Sequence, residues 1–440
     1  MSTQKEKVVF SILPLKRFVL QVEMEKKLYE KTMKILLIDA RDIRDKYRHA
    51  LDINNFLSRL SSMNNIDEMQ SSYQDFCAQK IDDKLCYGDI FTLDEEALQQ
   101  GKIFYSIRSD KINADYYHPE IGMNKYYQIA EALKGVGEKV ITNSIQAFEK
   151  CFEKILSYLI KTKPEAYLFG KNIEYTKLIN CDVEELKEML IRQEIDKLMY
   201  SVSDTIKKLN ENHSWHLDKH RELWDEFIEV DLHRNIIVHN NGVINNEYLN
   251  KVPQQYKNQE KDAYIKCNKP CVEKKTNTLL KFAFLLYYLV ANASADLDAL
   301  DNVAFNILKD ENWDVAQYAY LLLYNTKKLD LVRKTNYQLN YLNAKKHLLG
   351  KESVLKEIMD VDVGGMKDMY TVAKKLLLED YDNITEELEK CYPGDFNSYY
   401  IETWPIFIEY RKSKEYLIFR EKHKEDFEQY EYSSKNLDEV

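Results

Sequence analysis

Only 11 glycines and 7 prolines punctuate a chain of 440 residues. Sandwiches, barrels and Gly-rich phosphate loops need those residues at their turns, so this scarcity removes most β and α/β architectures. What remains is dominated by Leu, Lys, Glu, Ile and Tyr over long stretches, and the chain reads as all-α. Its length supports several hydrophobic cores without a disulfide or metal staple.

Charge and cysteine usage narrow the function classes. With 63 basic against 73 acidic residues the formal net charge is −10, so any nucleic-acid site must be a local patch. The seven cysteines, Cys77, Cys86, Cys151, Cys181, Cys267, Cys271 and Cys391, are odd in number and scattered, which fits a reduced cytoplasmic protein rather than a disulfide framework. Met1 to Lys7 is polar, and the apolar run Val8 to Leu15 is interrupted by Pro14, unlike a signal peptide. The most apolar stretch, Phe282 to Ala291, has half of the roughly 20 residues a membrane span requires and reads as a buried core helix.

Three parts are expected. Residues 1–123 form a mainly helical region of no evident chemistry: Arg17 to about Leu60 is rich in helix formers, Ser61 to Asn65 breaks the pattern, and Asp82 to Pro119 reads as loops and short elements. Residues 124–300 carry the clearest periodicity. Gly135 and Gly137 are expected to make a helix–helix turn, since Gly135-Val136-Gly137 follows a helical pattern and lacks the Lys-Ser/Thr ending of a phosphate loop. Beyond it, Ile145, Phe148, Phe152, Ile155 and Leu159 share one helical face. A second helix starts behind an Asp182 cap and aligns Ile195, Leu198, Val202, Ile206 and Leu209. A third spans about Leu217 to His239 and a fourth about Asn277 to Ala293, together an antiparallel bundle.

Residues 301–440 read as helical hairpins: Trp313 to Tyr324, Leu329 to Leu349, Glu352 to Met359, Met366 to Leu378, and Thr385 to Glu389 capped by Asn383. The strings Ala344-Lys345-Lys346 and Ala373-Lys374-Lys375 hint at a repeat, and stacked hairpins offer a surface for a protein partner. Tyr399, Tyr400, Trp404, Phe407 and Tyr410 are expected to pack as core. The polar, acidic stretch from Glu421 to Val440 is expected to fray.

The histidines are the strongest anomaly. Five of nine, His213, His216, His220, His233 and His239, fall within 27 consecutive residues. His213, His216 and His220 at i, i+3 and i+7 would share a face if helical and could approach zinc with Asp218 or Glu222, but surface residues are the commoner reading and no metal is expected. Cys267 and Cys271 have the wrong spacing for a metal pair. The cluster ends in Asp231-Leu232-His233-Arg234-Asn235-Ile236-Ile237-Val238-His239-Asn240-Asn241-Gly242. Asn-Asn-Gly stops the helix, leaving His239 in a last turn whose dipole favours positive charge.

An arginine that stabilises a phosphate, an amide that orients it and a histidine that moves a proton suit metal-free RNA cleavage by the neighbouring 2′-hydroxyl. Arg234-Asn235-Ile236-Ile237-Val238-His239, near the end of a bundle's third helix, resembles the signature of HEPN domains. The resemblance covers about residues 124–300. It implies a helical bundle that dimerises to form a composite cleft, with Arg234 and His239 as the catalytic pair and Asn235 as the accompanying polar residue. Many members of that family are metal-independent endoribonucleases of toxin–antitoxin, abortive-infection and antiphage systems; others are non-catalytic. On an ideal helix five residues turn about 140°, so Arg234 and His239 do not share a face, whereas Asn235 and His239 do. A structural alternative pairs Arg234 with Asp231 or Glu229 and leaves His239 to cap its own helix.

Beside the motif, residues 251–281 hold eight lysines against Glu260, Asp262 and Glu273, a net of +5. Lys251, Lys257, Lys261 and Lys266, with Tyr256 and Tyr264 among them, are candidate RNA contacts, the lysines for phosphates and the tyrosines for stacking on bases. A solvated linker is the alternative. No Walker loop, nucleophile elbow, His-Glu-x-x-His or kinase set is present. The expectation is therefore a cytoplasmic, dimeric endoribonuclease needing no cofactor. A non-catalytic dimeric scaffold is the alternative, and a nucleotide-sensing bundle a third.

Overall fold

A computed structural model describes residues 10–100, 102–108, 110, 112–168, 182–294 and 297–429. Among these the protein is helical apart from one small antiparallel sheet, in which Phe91–Leu93 pairs with Tyr105–Ile107. No described helix is long and apolar enough to cross a membrane. The six described cysteines are free thiols.

The chain divides into two compact units: residues 1–23, 142–265 and 273–440, and residues 24–141 with 266–272. Three of the four boundaries fall inside the helices Leu13–Lys46, Pro119–Thr162 and Lys269–Ser294, and the fourth, between Ile265 and Lys266, lies in the non-helical stretch before Lys269.

In the smaller unit the Arg48–Ser61 helix buries Ala50, Ile53, Phe56 and Leu60, spaced by three and four. Phe56 stacks on Phe76 at 4.2 Å, and Phe91 meets both edge-on. Asn65 and Asp94 cap the next helices by accepting from the Asp67 and Ala97 amides.

In the larger unit Phe148, Phe227 and Phe282 join three helices, with centroids 5.2 Å and 4.2 Å apart in successive pairs. Phe282 and Phe284 to Tyr287 are fully buried, as a core helix requires. Phe10 closes this core against Tyr158 and Tyr287. The expected Asp182 cap is present, its carboxylate accepting from the Glu185 amide at 2.8 Å.

The helix behind that cap is not continuous. Val183–Met199 ends at the exposed Tyr200, Ser201 is extended, and Val202–His213 begins anew. The Thr205 hydroxyl holds the corner by donating to the Leu198 carbonyl at 2.6 Å, so the apolar stepping survives a break it does not reveal.

The expected turn at Gly135 and Gly137 is absent. One 44-residue helix, Pro119–Thr162, runs through both glycines. Gly137 lies against the Cys267 carbonyl, where a β-carbon has no room, whereas nothing approaches Gly135. Gly137 therefore permits close backbone approach instead of a turn.

Beyond Leu297 the helices pack in sequence order, and Trp313–Tyr324 has the bounds the periodicity implied. Ala344 and Ala373 are buried, and the lysines beside them satisfy helix-end carbonyls. Lys346 donates to Leu377 O at 2.9 Å, and Lys374 to Met359 O and Val361 O at 2.7 Å each. Trp404, Phe407 and Tyr410 are buried as expected, with Trp404 Nε1 donating to Asn340 at 3.0 Å, but Tyr399 and Tyr400 are exposed. Asn383 occupies the expected cap position in the left-handed region and makes no side-chain cap hydrogen bond. Within the stretch expected to fray, Phe427 is buried against Tyr416 and Phe419; residues 430–440 lie outside the described residues.

These two glycines predict opposite outcomes. Gly135→Ala is expected to stabilise the protein by up to about 1 kcal/mol, the ordinary helix-propensity gain. Gly137→Ala is expected to cost about 1–3 kcal/mol through overpacking. Thermal denaturation of the two variants reads both signs; equal shifts would contradict the close approach at Cys267.

Candidate functional site

The Arg221–Asn240 helix carries the motif. A short 3-10 turn, Leu217–His220, precedes it. Leu223, Phe227, Val230 and Ile236 bury one side. The Asn-Asn-Gly stop forms as its chemistry requires: Asn241 and Gly242 have φ of 49° and 76°, and the Gly242 amide donates to Ile236 O at 3.0 Å. The Asn240 side chain closes on the Val243 carbonyl.

Arg234 is partly buried, and its Nη1 donates to Asn235 Oδ1 at 3.1 Å. Its Nε is buried and has no hydrogen-bond partner. Asn235 thus orients the guanidinium, while His239 stands exposed one turn further on. No hydrogen bond joins Arg234 to His239, in keeping with the angle between them.

Two carboxyls, Asp231 on the same helix and Glu149 on another, lie close enough to feel the Arg234 charge. Burial raises Glu149 above the usual carboxylate range, and the guanidinium only partly offsets it. Burial and then the Glu149 charge raise Asp231 in the same way, again against Arg234. Both border a cavity of about 10 Å³ walled by Ile145, Phe148, Val202, Phe227 and Leu279, about the room one water occupies. Asp231 is three residues from Arg234 and was visible as a possible partner. Glu149, on another helix, had no local signal.

Glu229, the other acidic partner that spacing offered Arg234, turns inward. It pairs with the buried Lys275 and accepts from Tyr248 OH at 3.1 Å, and Tyr248 in turn accepts from Gln259 Nε2 at 3.0 Å. His233, one turn along the helix, approaches Glu229 at 3.5 Å. Burial is the largest single influence on Glu229 and pushes it up, but His233 and Lys275 outweigh it and bring it to about 2. Burial first, then Lys275, lowers His233 to about 4, so its imidazole is neutral near pH 7.

The candidate RNA contacts disperse. Lys251 borders an open groove of about 430 Å³ with Lys207, Arg221 and Trp224, although it also pairs with Glu247 at 2.7 Å. Eighteen residues at 1.5 Å each place Arg221 about 27 Å from His239 along their helix, so a strand contacting both must span several nucleotides. Lys257 and Lys261 are exposed with no ion pair among the described residues, Tyr264 is exposed, and Tyr256 lies under the Lys274 ammonium at 5.4 Å. Lys266 belongs to the smaller unit. Much of the local positive charge is neutralised: Lys274 by Glu226, Lys275 by Glu229, and Lys281 by Asp314. The connector is docked, since Ile244, Tyr248, Val252 and Ile265 are buried.

The three other histidines do not share a face. The helix ends at His213, and Ser214 and His216 are left-handed. His213 meets Tyr167 OH at 2.7 Å and His220 meets Tyr318 OH at 3.1 Å. Among the described residues no group of three or more His, Cys, Asp or Glu is arranged to hold a metal. No protein-family model, curated protein or solved structure matches the chain.

The buried group makes stability depend on pH in one direction. His233, held below its usual 6.5, disfavours folding increasingly as pH falls from 6.5 toward 4. Glu229, held below its usual 4.5, contributes stability above pH 4.5 that is lost as pH falls toward 2. His233→Gln is expected to take up about one proton fewer on unfolding between pH 6.5 and 4, read from denaturant unfolding at stepped pH. An unchanged slope would contradict a buried neutral His233. Lys275→Met, which strands the Glu229 carboxylate, is expected to cost about 3–5 kcal/mol by the same measurement at pH 7; a loss below 1 kcal/mol would contradict the pairing.

Proposed function

We propose that the helical unit bearing Arg234, Asn235 and His239 is a metal-independent endoribonuclease of the HEPN type, acting in the cytoplasm as a toxin or antiphage effector. The observation that carries this reading is the arrangement on the last turns of one helix: a half-buried arginine, oriented by its neighbouring amide, below an exposed histidine. In the reaction the 2′-oxygen attacks phosphorus and the bond to the 5′-oxygen breaks, leaving a cyclic phosphate and a 5′-hydroxyl. His239 moves the proton between those oxygens, Arg234 stabilises the charge on the phosphoryl oxygens, and Asn235 holds the guanidinium in place. Because Arg234 and His239 diverge on one helix, a second copy of the chain completes the cleft.

Lys251, Lys207, Arg221 and Trp224 then contact the strand several nucleotides from the cut, with Lys257, Lys261, Tyr256 and Tyr264 on the intervening connector. A non-catalytic dimeric scaffold, its hairpins at 301–440 holding a protein partner, draws its support from Glu149 and Asp231, which claim part of the Arg234 charge.

Induced expression separates the two readings. Wild type is expected to arrest growth and leave new RNA fragments, while Arg234→Ala and His239→Ala restore growth. In purified protein with chelator, His239→Ala is expected to slow cleavage by about 10²–10⁴-fold. Undiminished toxicity or cleavage in either variant would overturn the nuclease reading, and no growth cost or cleavage from any of the three would favour the scaffold.

A further inference from the structure

The smaller unit contains a cavity whose chemistry the nuclease reading does not use. It is open, holds about 540 Å³, and is walled by residues of the Arg48–Ser61 helix and by Phe76 to Tyr87. That volume lies in the range of small-molecule sites, roughly 300–1,000 Å³.

One wall is a hydrogen-bonded relay. Tyr87 OH donates to Asp52 Oδ2 at 2.8 Å and lies 2.9 Å from His49 Nδ1. The tyrosine has one proton and gives it to Asp52, so His49 must donate from Nδ1, which leaves Nε2 as its free ring nitrogen. The imidazole stacks on Tyr117 with the ring planes 7° apart. Tyr87 is buried, and a hydrogen-bonded chain of this kind holds the wall rigid.

The rim is positive. Arg48, Arg59 and Lys80 border the cavity with one lining carboxylate, Asp52, while Asp82 acts on His49 and Tyr117 from outside the lining, so the cations still outnumber the acids. Arg48 and Lys80 make no ion pair among the described residues, and Arg59 is steadied by Ser72 at 3.2 Å. In a chain of net charge −10, three cations around one concave site stand against the background. Two guanidinium forks and an ammonium match a group with two or more negative charges and several acceptor oxygens. Phe56 and Ile81 provide apolar surface for the remainder of a small molecule.

We infer that this cavity binds a small phosphorylated ligand, with Arg48 and Lys80 holding its phosphoryl oxygens and the His49–Tyr87–Asp52 relay fixing the wall beside Arg48. The test is isothermal titration of the full-length protein with pyrophosphate and with ATP at low salt. Wild type is expected to bind at least one of them, Arg48→Ala and Lys80→Ala each to weaken it tenfold or more, and Lys327→Ala, at an exposed lysine of the larger unit, to leave it unchanged. Stronger binding of ATP than of pyrophosphate would assign the ligand to the nucleotides, and equal binding would place recognition in the phosphoryl groups alone. No binding of either probe to wild type, or equal binding by the Arg48→Ala/Lys80→Ala double variant, would overturn the inference. Because none of these residues belongs to the RNA site, the outcome is independent of the nuclease reading.

Discussion

The buried ion pair between Glu229 and Lys275 joins three pieces of the larger unit: the motif helix, the last helix of the bundle and, through Tyr248, the connector between them. A lone buried charge is costly, whereas a paired and hydrogen-bonded one is tolerated, so this group permits few alternative arrangements. Its position matters because Glu229 is five residues before Arg234. Fixing Glu229 and His233 in the interior sets the rotation of the Arg221–Asn240 helix, and that rotation places Arg234 at the boundary and His239 in solvent.

Around this anchor, the motif helix performs different tasks on different sides. Phe227 packs between Phe148 and Phe282. Asp231 shares a small cavity with Glu149 and borrows charge from Arg234. The C-terminal turn is closed by Asn240, Asn241 and Gly242, which end the helix one residue past His239 and leave the imidazole unobstructed. The proposed RNA chemistry asks for a positioned arginine and an accessible histidine; Arg234 is half-buried and bonded to Asn235, and His239 is exposed.

Much of the fold was legible because helices are written locally. The scarcity of glycine and proline, the three-and-four stepping from Ile145 to Leu159, the Asp182 cap and the Asn-Asn-Gly stop each act over a few residues. Features set by distant partners were not legible. Gly137 reads as a turn until Cys267 is seen against it, and the corner at Tyr200 and Ser201 depends on a Thr205 hydroxyl that apolar periodicity ignores. His213, His216 and His220 suggest one face only while the helix is assumed continuous. The lysines of 251–281 suggest a basic patch only until Glu226, Glu229 and Asp314 arrive from other elements. Of the candidate site, Arg234, Asn235 and His239 could be named because one short stretch carries the resemblance to HEPN domains, whereas Glu149 and Lys275 depend on tertiary packing.

The most direct test of the account is the chemistry of the RNA ends. Purified full-length protein would be incubated with single-stranded RNA in excess chelator and the termini analysed. Products ending in 2′,3′-cyclic phosphate and 5′-hydroxyl, formed by wild type and not by His239→Ala, are the expected result. Termini bearing 5′-phosphate, or the same products from both proteins, would contradict it.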